Sequence, residues 1–183
     1  MVRELLKRDP SLYFSVSAKT RAPRPGEVDG RHYRFMSEAE FDRMVTSGEF
    51  LEWAEMFGHR SGTPALPVDE ARARGRDVIL EIDVQGARQI RDRVPDAVMI
   101  FLTPPSRQEL LRRLHDRGTE RGEELERRLE AIDLELAQSR WFHHVVVNDE
   151  VGRAAQEVAD IIDGYRSAGA SERPPDPSED SPE

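Results

Sequence analysis

The stretch Val78–Leu102 reads VILEIDVQGARQIRDRVPDAVMIFL. Two near-continuous apolar runs, Val78–Asp83 and Ala97–Leu102, flank a polar, arginine-rich segment. Runs of this kind lack the in–out alternation of a half-exposed sheet and predict strands covered on both faces. Outward from here the pattern repeats: LYFSVS (Leu12–Ser17) before it and HHVVVN (His143–Asn148) after it are further strand candidates. Helix-like segments lie between the strands. Ser106-Arg107-Gln108-Glu109 is a capping box leading into LLRRL, a charged helix is expected from about 123 to 141, and another from about Val151 to Tyr165. Strands separated by helices predict an α/β fold built on a parallel sheet with helices on both faces. Ligands of such sheets bind beyond the carboxyl ends of the strands, which directs attention to Asp83, Thr103-Pro104-Pro105 and Asn148-Asp149.

One segment has a different texture. HYRF (His32–Phe35) and FLEWAEMF (Phe50–Phe57) are aromatic and partly alternating, and Ser37-Glu38-Ala39-Glu40 is a capping box before Phe41, Met44 and Val45. An inserted antiparallel lobe is expected here.

Composition narrows the functions. The 183 residues contain no cysteine, so disulfide scaffolds, thiolate metal sites and cysteine nucleophiles are excluded for them, and a reducing cytoplasm is the natural expectation. No apolar run of membrane-spanning length and no signal-type leader occurs. The formal net charge of −9 disfavours non-specific nucleic-acid binding, which needs a basic field. Lys7 and Lys19 are the only lysines against 27 cations in all, so a lone arginine carries little information. The stretch Ser167–Glu183, with its prolines and acids, is expected to be a disordered acidic tail.

Chemistry concentrates in Ser15–Phe35, SVSAKTRAPRPGEVDGRHYRF. Arg21 and Arg24 share a loop stiffened by Pro23 and Pro25, which lowers the entropy cost of presenting two guanidinium groups together. Paired arginines hold phosphate through charge-assisted bonds, and Tyr33 adds a phenolic hydroxyl nearby. Ser17 offers a second hydroxyl at the end of its strand.

This segment, together with FLEWAE, Gly62-Thr63, LEIDVQGAR (Leu80–Arg88), FLTPPS, RGTE (Arg117–Glu120), RRLE and VVVND, resembles guanylate kinase, with the motifs in that family's order nearly to Tyr165. The resemblance implies ATP-dependent phosphorylation of GMP to GDP with Mg²⁺, in a cytoplasmic monomer or homodimer. It implies a kinase domain over residues 1–166, with a GMP-binding lobe at about 18–66 and a lid at about 115–127. Arg21, Arg24 and Tyr33 would hold the GMP phosphate, and Glu52 would accept from N1 and N2 of guanine. Ser17 and Thr63 would approach O6. Glu81 and Asp83 would lie near the nucleotide and its metal, with Asp83 also suited to cap a helix. Arg117 and Arg128 would act catalytically with Arg21 on the transferring phosphoryl group, and Asn148 would lie beside the adenine of ATP, with Arg117 also on the donor side.

Two departures from the family pattern stand out. The family has a tyrosine just before Gly-Thr that helps hold the phosphate; here Ser61 occupies that position, and Arg60 is the candidate replacement. No G-x-x-x-x-G-K-[ST] segment occurs among the 183 residues, so the sheet's first strand and its phosphate loop are expected to be missing, and the chain as written is expected to fold poorly and to lack kinase activity. A start codon placed too far downstream is the expected cause. The alternative is a catalytically dead module that binds GMP or a protein.

Overall fold

The computed structural model describes residues 1–56, 58–117 and 138–168, with the side chains of Leu114, His115 and Arg117 excepted. In chain order the elements are α1 (Val2–Arg8), β1 (Tyr13–Phe14), β2 (Ala18–Lys19), β3 (Arg34–Phe35), α2 (Glu38–Thr46), β4 (Phe50–Met56), β5 (His59–Pro64), α3 (Ala65–Ala73), β6 (Val78–Ile79), α4 (Val84–Arg93), β7 (Ile100–Thr103), α5 (Arg107–Arg117), a 3₁₀ turn (Ser139–Trp141), β8 (His144–Val147) and α6 (Val151–Ala168). The chain packs as two compact units, one of Asp9–Ala97 and one of Met1–Arg8 with the chain from Val98 onward.

In the second of these units β7 and β8 pair in parallel, and α6 continues from the end of β8. Arg8 of α1 donates to Gln156 Oε1 (2.6 Å) and to the Gly152 carbonyl (3.3 Å), which ties the first helix to the last. Ser106 Oγ accepts from Glu109 N at 3.1 Å, so the serine half of the capping box forms, while the Glu109 carboxylate goes to Arg112 and Arg113. The apolar runs predicted strands covered on both faces, but Val146 is buried while Leu102, Val145 and Val147 are exposed, so among the described residues β7 and β8 are covered on one face only. Helix α6 runs to Ala168, two residues into the stretch expected to be a disordered tail. Most of the expected lid, most of the charged helix from about 123, Arg128 and the rest of the tail lie outside the described residues.

The unit of Asp9–Ala97 holds two sheets. In one, β1 and β6 pair in parallel. The other has four strands in the order β3-β2-β5-β4, antiparallel except for β2 with β3. The strand expected over LYFSVS is shorter: only Tyr13 and Phe14 of it are paired in the first sheet, and the chain joins the second sheet at Ala18, just beyond it. Within VILEID only Val78 and Ile79 have a ladder partner, and Leu80–Asp83 leads into α4.

The four-stranded sheet has one apolar face. Ala18, Met36, Phe41, Met44 and Phe50 form a buried cluster flanked by Val45 and Trp53, with Phe41 of α2 stacked 4.5 Å from Phe50. Helix α2 starts where the capping box places it, since Ser37 Oγ accepts from Glu40 N at 3.2 Å. Successive strand residues point to opposite faces, so the residues alternating with this cluster line the other face.

Candidate active site

That other face carries Ser17, Lys19 and Arg21 at every second position, Tyr33 and Phe35 beside them, and Ser61, Thr63 and Glu52 across β5 and β4. Glu52 joins them because β4 is irregular: Phe50 pairs with Pro64 and Glu52 with Thr63, so two steps on β4 answer one on β5. In a regular strand Phe50 and Glu52, two residues apart, would share a face. The bulge lets Phe50 enter the apolar cluster while Glu52 turns the other way, and re-aiming a side chain is what bulges beside functional sites do. Arg93 at the end of α4 donates to both carbonyls at the bulge, Phe50 O (3.0 Å) and Leu51 O (2.6 Å). Gln89, one turn earlier, pairs reciprocally with the Trp53 backbone, donating to its carbonyl at 2.6 Å and accepting from its N–H at 3.3 Å. Strand β4 is the sheet's edge, and α4 satisfies its outward backbone groups.

Glu52 is only 4% exposed, and Thr63 donates its hydroxyl to Glu52 Oε1 at 2.6 Å. Burial, aided by the charge of Asp83, pushes the Glu52 carboxyl above the ordinary carboxylate range, against the pull of Thr63 and Lys19. The carboxylate rests on the first turn of α4. A Cβ built on Gly86 would overlap Glu52 Oε2 and lie 2.9 Å from Cδ, so only glycine leaves room there. Asp83 caps the same turn, its Oδ1 accepting from Gly86 N at 2.8 Å. Gly62 has an equivalent task on the other face, where Phe50 and Trp53 lie 3.0 Å from the position of its absent Cβ.

The other end of the face is cationic. Glu27 N donates to Arg24 O at 3.0 Å with Pro25 and Gly26 between them, and Gly26 has φ 84°, the arrangement of a type II turn. The turn brings Glu27 back onto Arg21, whose Nη1 and Nη2 donate to the carboxylate at 2.6 and 2.7 Å. This fork holds the Glu27 carboxyl down at about 2 and raises Arg21. Arg21 also lies over the rings of Tyr33 (5.3 Å) and Phe35 (5.6 Å). Arg24 is exposed, close enough for its charge to act on Glu27 and Tyr33. The Tyr33 hydroxyl has no hydrogen-bond partner among the described residues. Glu81 is exposed and Asp83 half-buried, and both are felt by Lys19.

The structure therefore gathers Ser17, Arg21, Arg24, Tyr33, Glu52, Thr63, Glu81 and Asp83 within one unit. Asn148 follows β8 in the other, where its backbone N–H donates to Thr103 O at 2.7 Å and its buried Oδ1 has no partner among the described residues. Arg117 ends α5, and nothing is described of its side chain. Arg60, the candidate replacement for the absent tyrosine, does not face the site. It alternates with Ser61, lies 4.8 Å from the Phe41 ring and is bound to Glu38 and Asp42 of α2. Four contributors escaped the sequence reading. Lys19 was detectable from its place between Ser17 and Arg21; Glu27, Gln89 and Arg93 act through turn and packing geometry that has no linear signature.

The site thus sets a buried carboxylate at one end of a sheet face and a cationic cluster at the other. A family model described as "Guanylate kinase" matches residues 1–165. The chain is 55% identical over 164 residues to a guanylate kinase of Nocardia farcinica (88% of this chain, 85% of the relative), and 50% identical over 162 residues to one of Thermobifida fusca (88% and 83%). The crystal structure of guanylate kinase from Anaplasma phagocytophilum superposes with a TM-score of 0.77 at 30% identity, covering 94% of this chain and 82% of that one. The chain belongs to the guanylate kinase family.

Proposed function

We propose that this protein binds GMP on the polar face of the four-stranded sheet and phosphorylates it to GDP with ATP. The observation that carries the reading is the opposition of buried Glu52 to the cluster of Arg21, Arg24 and Tyr33 on one face. A carboxylate accepts two parallel hydrogen bonds, which matches the N1 and N2 donors of guanine. Adenine presents no such donor pair and would leave a buried charge unpaired. Thr63 has one hydroxyl hydrogen, already given to Glu52, so in this reading it orients the carboxylate and Ser17 faces O6. Phosphoryl transfer needs no protein nucleophile; positioning and charge stabilisation suffice. Arg21 serves both the bound phosphate and the charge that develops on transfer, joined by Arg117 and Arg128. Asn148 Oδ1, without a partner among the described residues, is an acceptor suited to an adenine amino group.

Among the described residues no group of three or more His, Asp or Glu is placed to hold a metal ion. Mg²⁺ suits this site as an ion carried on the phosphates of ATP, since it keeps most ligands as water and phosphate and needs one or two carboxylates, here Glu81 and Asp83. When bound, it neutralises phosphate charge. No described helix is long and apolar enough to cross a membrane.

The 183 residues contain no G-x-x-x-x-G-K-[ST] segment, so the reading is tested first by binding. Titration calorimetry is expected to show GMP bound far more tightly than AMP, and the Glu52→Gln variant is expected to lose that preference. Equal affinity for the two nucleotides overturns the assignment. ATP-dependent conversion of GMP is then assayed separately, with ADP formation that needs both nucleotides as the readout.

A further inference from the structure

Lys19 occupies the site face with no role assigned to it by the family motifs. It stands opposite Ser61 in the β2–β5 ladder, and its Nζ donates to Ser61 Oγ at 3.1 Å. The ammonium also lies 4.7 Å from the centroid of the Tyr33 ring. Among the described residues it forms no ion pair, so two of its three N–H donors remain available. Arg21 has Glu27 as a fixed counter-charge, whereas Lys19 has no carboxylate in bonding contact among those residues. A half-buried ammonium with spare donors, next to a phenol without a partner, is built for a small anion. Burial and the neighbouring Arg21 together pull its pKa below the usual lysine value, opposed by Asp83, Glu27 and Glu81, so an arriving anion would relieve an existing strain on the charge.

Position 61 explains the geometry. A tyrosine there would project its hydroxyl well above the sheet; the serine is far shorter. Arg60 is turned away to α2 and offers no substitute. Lys19 reaches from the adjacent strand over that serine.

We propose that Lys19 is a further phosphate-contacting residue of the acceptor site, its ammonium supplying the contact that the family's tyrosine makes from position 61. The ligand class is the phosphate monoester dianion of a nucleoside monophosphate, and the proposal rests on the reading that GMP binds this face.

The test compares GMP with guanosine, which lacks the phosphate, on the full chain by calorimetry. The Lys19→Met variant is expected to lose about 10- to 100-fold in GMP affinity while binding guanosine as the wild type does. Lys19→Arg is expected to restore most of the loss. The wild-type advantage over Lys19→Met should also fade at alkaline pH below the ordinary lysine value of 10.5, while that of Lys19→Arg persists. The groups facing the ammonium in that titration are Arg21, Glu27, Tyr33, Glu52, Glu81 and Asp83. Wild-type protein that binds GMP while Lys19→Met binds it equally well overturns the Lys19 proposal alone. Equal losses of GMP and guanosine affinity overturn it in favour of a structural role. Wild-type protein that binds neither ligand overturns the nucleotide reading itself.

Discussion

Thr63 donates its hydroxyl hydrogen to Glu52 Oε1 across 2.6 Å, with the two residues 1% and 4% exposed. The bond answers one question about a buried carboxylate, namely what holds it in a single orientation without neutralising it. A hydroxyl stabilises the charged form, and the carboxylate keeps further lone pairs beyond that one bond. Burial still dominates, and the carboxyl ionises less readily than an ordinary glutamate.

A pH dependence follows from that balance. The folded, unliganded pKa of Glu52 is raised, and in the proposed binding mode guanine meets the charged form. GMP affinity is therefore expected to be full above the raised value and to fall with pH through it, starting above the usual glutamate range near 4.5. Calorimetric titrations over mildly acidic pH check this, and Glu52→Gln should show weak, flat binding over the same interval.

Gly86→Ala should damage the site without touching a ligand. Its new Cβ overlaps Glu52 Oε2, so either the carboxylate or the first turn of α4 must move. A loss of at least about tenfold in GMP affinity is expected, with a small effect on melting temperature, because the helical position itself favours alanine over glycine. Unchanged GMP binding by this variant would show that the position of Glu52 is not critical.

Arg93 and Gln89 are expected to act through the bulge. Arg93→Ala removes both donors to the Phe50 and Leu51 carbonyls, and Gln89→Ala removes the reciprocal pair with Trp53. Each is expected to destabilise the fold by roughly 1–3 kcal/mol. Arg93→Ala should also weaken GMP binding more than its stability loss accounts for, since the bulge decides which way Glu52 points. Denaturant melts paired with calorimetry separate the two effects, and Arg93→Lys should recover stability in part.

Glu27→Gln tests the fork that presents Arg21. The Glu27 carboxyl is depressed from 4.5 to about 2 in the folded protein. A depressed carboxyl contributes stability above its unfolded pKa, and that contribution fades as pH falls through the folded one. The stability gap between wild type and Glu27→Gln should therefore be constant at neutral pH and close between about pH 4.5 and about 2, as read by melting temperature across that range. The variant should also bind GMP more weakly than guanosine loss alone would explain, because Arg21 loses its orientation.

The strand–helix alternation was legible because apolar runs and capping residues are local signals, and Ser37 and Ser106 both cap as written. Burial was less legible. The runs at Ala97–Leu102 and His143–Asn148 resemble strands covered on both faces, yet Val145 and Val147 flank buried Val146 and are exposed. Hydrophobic content states what a strand can bury, and only its neighbours decide what it does bury. LYFSVS is a strand only at Tyr13 and Phe14, since the chain then crosses to a different sheet, which it joins at Ala18.

At the site, the chemistry of Arg21, Arg24, Tyr33 and Glu52 was visible in residue type and order, while the roles of Arg60 and Lys19 were not. They sit on neighbouring strands and differ only in the face they present: Arg60 goes to the acidic residues of α2, and Lys19 to Ser61 and Tyr33.

The amino-acid order alone determined the family and the α/β class, because these depend on local pattern and side-chain chemistry. The tertiary structure alone decided that Glu52 faces Thr63 instead of the core, and that Lys19 instead of Arg60 stands over Ser61. Facing direction depends on one extra residue in the β4–β5 ladder and on cross-strand register, both of which come from pairing between segments distant in the chain.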